Sequence, residues 1–504
     1  MLPSPVRAIQ MPPPSFLPRV QRTPVALALG LVAGLLLRPG VGPVPDPEWI
    51  WIAPAPLLWL ALSLQRTWLA HAAVWLGALV AASAYTGYLR LLAPWPAALL
   101  MTVGMAAPWW LVIVGSRRVA LRFGAGWTVL AYPLLWAGLD LAMGRLLPDG
   151  QWGSAAYSQA GRLPLLQLAA LGGTPAVLFV LSLPASALAL LLATRWRPRQ
   201  RLAALLLALP LTGLAFGYGA LRLHAAPDAP GDTLRVGLAS IDDAVGLHAS
   251  PAHAGSVLDG YARLVAQLAA QDAALLVLPE KIAVVTPAAA PAWQARFAAL
   301  ARRHAVWLEV GIGIDDGVAA RNQAWLFGPD GHLHQDYEKL RLAPPERIDG
   351  YRHGSRTAVQ EIDRLRVGLA ICKDMHFASV GHRYGRQAVD LMLVPAWDFA
   401  YVDAWMGARM TLVRGVENGH AVVRAAREGL LTVSDGWGRV VAETSSAPMP
   451  GATLVADLPL ATPAATPYAR IGDLFGLLCA LAALALWLAS LRRGHAPATT
   501  PRAG

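Results

Sequence analysis

The sequence predicts a polytopic α-helical membrane protein of about eight spans that carries an α/β domain on one long loop. Three observations lead there. The 504 residues are 56% hydrophobic and only 14% charged, whereas about a quarter of an ordinary globular domain is charged. Apolar runs of membrane-crossing length follow one another up to about residue 221, and another closes the chain. Between them, from about Thr233, short β-rich runs alternate with helical periodicity. The mean hydropathy of +0.44 agrees with a chain that lies largely in lipid, and the 19 Trp suit residues at a bilayer interface.

Residues 1–23 are Pro-rich, carry Arg7, Arg19 and Arg22, and read as a cytoplasmic tail without a signal-peptide cleavage site. Spans are predicted at roughly 24–40, 49–65, 67–89, 96–116, 121–144, 164–194, 201–221 and 471–491, each near the ~20 residues that cross a bilayer. The basic residues fix the orientation. Arg66, Arg117, Arg118, Arg122, Arg195, Arg197, Arg199, Arg201, Arg492 and Arg493 fall on one side, while the alternate loops hold single Arg38, Arg90, Arg145 and Arg222. By the positive-inside rule both termini are cytoplasmic and the long loop faces outward, into the periplasm of a Gram-negative cell. The expected organisation is a cytoplasmic tail 1–23, a seven-span domain 24–221, an extracytoplasmic domain 222–470, a last span 471–491 and a tail 492–504. Once these loop arginines are subtracted, the net charge of +11 implies no nucleic-acid partner. Two cysteines, Cys372 and Cys479, make no disulfide framework. Without HExxH, paired CxxC or a phosphate-cradling Gly-rich loop, no metal or nucleotide cofactor is expected.

Strands are predicted at Leu234–Ser240, Ala273–Pro279, Val306–Ile312, Gln323–Phe327, Val389–Val394, Ala421–Arg424 and Leu430–Ser434, with helices near 255–271, 293–304, 379–387 and 404–418. The turn Gly328–Gly331 implies antiparallel as well as parallel pairing. In Arg366–Phe377 a strand-like apolar run ends at Cys372 and polar residues follow. A thiol there is expected to feel the positive end of a helix dipole and the neighbouring Lys373, both lowering its pKa.

Glu280, in Leu-Pro-Glu-Lys, and Lys339, in Tyr-Glu-Lys-Leu, also fall at strand ends or in the loops after them. Taken singly, each of the three has an ordinary structural explanation: a core thiol, a solvated strand end, a basic surface pair with Arg341. Together they form a set with a defined chemistry. A carboxylate takes the thiol proton and later returns it, an ammonium steadies an oxyanion, and the thiolate attacks to give an acyl-enzyme. In the membrane half, Asp140 lies near a helix end, where a lone carboxylate is costly, and is expected to meet Arg145 or a lipid headgroup.

In these residues, Pro279-Glu280, Asn322 through Phe327, Tyr337 to Leu342 with Pro344, and Gly368 to Cys372, the loop domain resembles the nitrilase superfamily of carbon–nitrogen hydrolases. With Pro133 to Arg145, Tyr157-Ser-Gln159, Pro164 to Gln167 and Gly172-Gly173 in the membrane half, nearly the whole chain resembles the membrane-embedded apolipoprotein N-acyltransferase family. That resemblance implies an αββα sandwich with Glu280 as general base and acid, Lys339 as oxyanion stabiliser and Cys372 as nucleophile. It further implies a phospholipid acyl donor, a thioester intermediate, and as acceptor the N-terminal amine of a diacylglyceryl-modified lipoprotein at the bacterial inner membrane. A membrane-tethered amidase or hydrolase, with water or another amine as acceptor, is the alternative.

The resemblance adds Glu346 as a second carboxylate, with Asn322, Lys373, Asp374, Trp397, Phe399, Tyr401, Asp140 and Arg145 as candidate supporting or substrate-binding residues. The chain departs from the family at Leu278, usually Trp; at Lys281, usually small; at Lys373-Asp374, commonly Tyr-Glu; and at Pro395 to Phe399. Two loops, Arg341–Arg356 and Phe399–Met410, are candidates for lipid contact: the first is cationic, and the second carries Phe399, Tyr401, Trp405 and Met406, although Ala404–Val416 reads rather as an ordinary helix whose apolar face packs on the sheet.

Overall fold

Long Leu- and Ala-rich runs satisfy their own backbone as helices, the only open-chain structure that lipid tolerates. In the computed structural model, which describes residues 20–226, 231–399, 401–461 and 465–491, seven helices among the described residues are long and apolar enough to cross a bilayer. They are Thr23–Gly40, Thr67–Leu92, Trp95–Phe123, Gly126–Leu146, Ala169–Leu192, Pro198–His224 and Leu474–Leu491. The run expected to span at 49–65 is shorter: a 3-10 turn at Trp49–Trp51 and a helix at Ala55–Ser63. Pro54 and Pro56 stand at the cap and first turn of the second piece, where proline's missing N–H has no helical partner to lose and a new helix starts readily. The run expected at 164–194 is also interrupted. Gly172 and Gly173 leave helical geometry, Gly173 at φ 69°, a conformation that costs glycine little.

The loop domain consists of two stacked sheets. The first contains β1 (Thr233–Ser240), β2 (Leu275–Val277), β3 (Ala283–Val285), β4 (Trp307–Asp315), β5 (Ala320–Phe327), β6 (Leu333–Glu338) and β13 (Ala452–Pro459); its order is β13-β1-β2-β4-β5-β6, with β3 beside β4. The second contains β7 (Ala358–Ile362), β8 (Leu365–Leu369), β9 (Leu391–Trp397), β10 (Ala421–Arg427), β11 (Leu430–Ser434) and β12 (Val440–Ser445), in the order β12-β11-β10-β9-β8-β7. Strand periodicity separates two cores. Leu275, Val277, Ala324 and Leu326 meet Leu369, Leu393 and Val423 between the sheets. Their neighbours Leu276, Trp325 and Phe327 face the helices Pro251–Ala269 and Ala290–His304. The helices Ala378–Gly385 and Tyr401–Asn418 lie on the other sheet's side, which completes the αββα order.

The helix Tyr401–Asn418 joins the two halves. Met406, Met410, Leu412, Val413 and Val416 are buried in the same core as the membrane helices, while Ala404 and Ala408 pack with Leu430 of β11. Over Ala404–Val416 the apolar face of this helix packs on the membrane half as well as on the sheet: Met406 is fully buried, and Trp405 packs against that core.

Candidate active site

Strand ends deliver the three reactive side chains to one place. Glu280 follows β2 in a loop tied to both sheets: Leu278 N donates to Glu309 O at 2.9 Å and Glu280 N to Ala396 O at 3.2 Å. Gly311 leaves room for that loop, since a Cβ there would lie 2.4 Å from the Pro279 carbonyl oxygen and 2.6 Å from Glu280 Cα. Lys339 follows β6 directly, and its N–H donates to Asn322 O at 2.9 Å. Cys372 opens the 3-10 turn Cys372–His376 with φ 42°. A non-glycine residue in that region carries about 1–3 kcal/mol of strain, and Asp374 holds the turn against it. Its carboxylate accepts from Ile371 N at 2.9 Å, Tyr337 OH at 2.7 Å and Arg341 N at 2.7 Å.

The Lys339 ammonium sits between two carboxylates, 2.7 Å from Glu280 Oε1 and 2.8 Å from Glu346 Oε2. Asn322 Nδ2 donates to both, at 2.5 and 2.6 Å. The Cys372 thiol donates to Trp397 O at 3.7 Å, one residue beyond the carbonyl that holds Glu280, so the two residues share the end of β9. All three groups are buried. Burial lowers the pKa of Lys339, but Glu280 and Glu346 outweigh it and hold the ammonium well above its ordinary value. Burial also pushes Glu346 up, and Lys339 and Lys281 reverse the sign, so that it lies well below the usual carboxylate range.

The thiol differs from the sequence expectation. Burial raises its pKa well above the ordinary value, the Glu280 carboxylate raises it further, and Lys339 opposes them. The expected cation is engaged elsewhere: Lys373 Nζ donates to Asp149 Oδ1 at 2.6 Å, in the loop after the helix Ala125–Leu146. With Lys373 drawn away and only a five-residue turn for a dipole, Lys339 and Arg424 are left to oppose the loss of water around sulfur, and they do not outweigh it. The balance favours the thiol over the thiolate at rest.

The remaining candidates separate into groups. Glu346, Asn322, Asp374 and Trp397 are in or against this centre. Trp397 Nε1 donates to Glu428 Oε1 at 3.2 Å, and the Arg427 guanidinium lies 4.0 Å from its ring centroid. Phe399 packs on Trp397 at 5.7 Å; Tyr401 opens its helix, and its side chain lies outside the described residues. Asp140 and Arg145 do not pair. Arg145 Nη2 is 2.6 Å from Asp473 Oδ2, and Asp140 Oδ2 accepts from Gln151 Nε2 at 3.3 Å. Gln151 Oε1 in turn accepts from Arg414 at 3.1 Å, so this carboxylate joins a buried network between the halves.

Sequence reasoning passed over several residues here. Lys281, noted only as a departure, donates to Glu346 Oε1 at 2.9 Å. Arg424 of β10 makes a bidentate pair with Asp398 at 3.0 and 2.5 Å, and Tyr88 of the membrane half donates to Asp403 at 2.9 Å. The one available signal was an Arg inside a fully apolar strand, which needs a buried partner.

Residues 244–468 match the family model described as carbon-nitrogen hydrolase, and residues 33–187 match that of the apolipoprotein N-acyltransferase N-terminal domain. The apolipoprotein N-acyltransferase of Geobacter metallireducens is 26% identical over 537 residues, covering 97% of this chain and 98% of that one. The enzyme of the same name from Gloeobacter violaceus is 29% identical over 467 residues, 81% of this chain and 85% of its own. Among solved structures, an amidase of the nitrilase superfamily from Nesterenkonia AN1 is 21% identical, covers 46% of this chain and 94% of its own, and has a TM-score of 0.39.

Proposed function

Since the chain belongs to the apolipoprotein N-acyltransferase family of carbon–nitrogen hydrolases, we propose that Glu280, Lys339 and Cys372 are the groups that carry its acyl transfer. The reaction moves an acyl chain from a phospholipid, through a cysteine thioester, to the N-terminal amine of S-diacylglyceryl-cysteine in a bacterial lipoprotein. Cys372 Sγ attacks the ester carbonyl carbon while Glu280 takes the thiol proton. Lys339 balances the charge on the carbonyl oxygen, a role suited to a fixed buried ammonium. The C–O bond then breaks, Glu280 returns the proton to the departing lysophospholipid oxygen, and a thioester remains. In the second half the acceptor amine attacks that thioester, Glu280 takes the amine proton, and the amide forms as the C–S bond breaks and the thiol is restored.

The observation that carries this reading is the Lys339 ammonium held at 2.7 Å from Glu280, on the strand end that also receives the Cys372 thiol. The chain is a bacterial membrane protein. The loop arginines and the domain between Pro198–His224 and Leu474–Leu491 support the inner membrane, with the reactive domain in the periplasm.

The test is the intact mass of the purified protein in detergent with phospholipid, then with a diacylated lipopeptide. An acyl adduct that is absent in Cys372→Ala, is released by hydroxylamine and moves to the peptide amine is the expected result. An adduct that decays to free fatty acid and leaves the peptide unchanged makes the protein a tethered hydrolase. No adduct, or one retained in Cys372→Ala, overturns the assignment of the nucleophile.

A further inference from the structure

Where the helix Ala125–Leu146 leaves the membrane half, a cleft of about 510 Å³ opens between the halves. On the membrane side Arg145, Leu146, Leu147 and Pro148 line it; on the sheet-domain side Arg341, Leu342, Arg347, His353 and Phe377 do. Leu146 and Leu147 are 82% and 51% exposed, at the end of a helix read as crossing the bilayer, so lipid is their natural neighbour.

The cleft is short of negative charge. Arg145, Arg341, Arg347 and Lys373 stand at or beside it with two carboxylates, Asp473 and Asp149, among their described partners. Arg145 takes Asp473, while Lys373 and Arg347 share Asp149. Arg341 has no acceptor for its guanidinium among the described residues; the group lies 4.6 Å from the Phe377 ring centroid. Its backbone is nonetheless fixed, since Arg341 N donates to Asp374, which braces the Cys372 turn. Lys339 is two residues upstream. An anion held by Arg341 is thereby tied on one side to the oxyanion-stabilising lysine and on the other to the nucleophile's turn.

We propose that this cleft binds the phosphodiester of the acyl-donor phospholipid, Arg341 and Arg347 holding the phosphate and Leu146 and Leu147 meeting its acyl chains. The proposal rests on the acyltransferase reading above and names the site that recognises its donor. Guanidinium forks match phosphate oxygens geometrically, and such charge-assisted bonds are the strong ones. A cationic rim with an apolar floor at the bilayer surface suits a lipid that carries phosphate and rejects one that does not.

The test needs no chemistry at Cys372. Full-length Cys372→Ala protein in detergent is titrated with fluorescent phosphatidylglycerol and with fluorescent diacylglycerol of the same chains, with and without Arg341→Gln, Arg341→Lys and Arg347→Gln. The expected result is a preference for the phosphate-bearing lipid that falls about tenfold in Arg341→Gln, near the worth of one charge-assisted contact, and that returns in part in Arg341→Lys. Inorganic phosphate at millimolar concentration is expected to compete only weakly, because it lacks the chains. Equal affinity for the two lipids, or a preference untouched by Arg341→Gln and Arg347→Gln, overturns the site. Competition by inorganic phosphate as strong as by lipid also overturns it, leaving a free-anion site. In the Cys372-containing protein, KM for phospholipid is expected to rise more than kcat falls, and the loss with p-nitrophenyl octanoate to be about tenfold smaller. If the wild-type forms no adduct with either donor, the acyltransferase reading fails while the binding result stands.

Discussion

The Nζ of Lys281 lies 2.9 Å from Oε1 of Glu346, whose other oxygen is 2.8 Å from Lys339 Nζ. The centre thus holds two buried ammoniums and two buried carboxylates, Glu280 being the fourth. Lys281 takes φ 47° and is packed between the rings of Tyr351 and Trp397, at 4.8 and 5.2 Å from their centroids. Its stem is apolar enough for that slot, and only the tip needs a partner.

Lys281→Met keeps the stem and removes the charge. Lys339 must then serve two carboxylates alone, and a carboxylate that loses a neighbouring cation rises in pKa. Acyl-adduct formation is expected to fall about tenfold, with its acidic limb moved to higher pH, read from a pH series of intact-mass time courses. An unchanged profile makes Lys281 a packing residue.

The thiol offers a prediction with opposite signs in two assays. Burial, the Glu280 carboxylate and, less, Asp398 raise its pKa, so Glu280→Gln removes the largest of the charged causes. Alkylation of Cys372 by iodoacetamide at pH 7–8 is expected to speed up in that variant while acyl transfer collapses. Slower alkylation means that Glu280 already holds a thiolate at rest, contrary to the electrostatics described above.

Glu346 sets an acid limit on stability. Its pKa is well below the ordinary value in the folded protein, so the native state binds its proton less readily than the unfolded chain does. The stabilisation is present above the unfolded carboxylate value and disappears as pH falls toward the folded one. The detergent-solubilised protein should lose Tm steadily below about pH 4.5. Glu346→Gln should begin lower at pH 7 and fall less steeply, and parallel curves would count against this origin.

The junction between halves depends on Arg414. Its guanidinium bonds Gln151 at 3.1 Å, Tyr157 at 3.0 Å and Glu417 at 3.1 Å, and Glu417 accepts from Thr174 N at 3.1 Å where the helix restarts after Gly173. Arg414 and Glu417 are fully buried. Glu417→Ala strands a buried cation, which costs about 3–5 kcal/mol. Adding Arg414→Met should recover part of that loss, so the double variant is more stable than the sum of the singles; simple additivity in detergent Tm would deny the coupling.

Much of this molecule is local and was readable as such. A span is a run of apolar residues, a strand is a short β-rich run, and Glu280, Lys339 and Cys372, ordinary one by one, stand out as a set at strand ends or in the loops that follow. The shortened second helix was also legible, in Pro54 and Pro56, had the prolines been weighed above the hydropathy. The pairings were not. Lys281 and Glu346 are 65 residues apart, Lys373 and Asp149 are 224, and Arg414 and Gln151 are 263.

By itself, then, the sequence determined a chain of spans around an α/β domain and the three reactive groups at that domain's strand ends, because those features depend on side-chain periodicity and backbone breaks. Only the tertiary structure decided that Lys373 leaves the thiol for Asp149, that Asp140 leaves Arg145 for Gln151, and that Lys281 enters the centre. The physical reason is that a buried charge takes whichever partner the packing of the two halves brings within reach, and burial, which no short stretch of sequence records, decides the protonation of the sulfur.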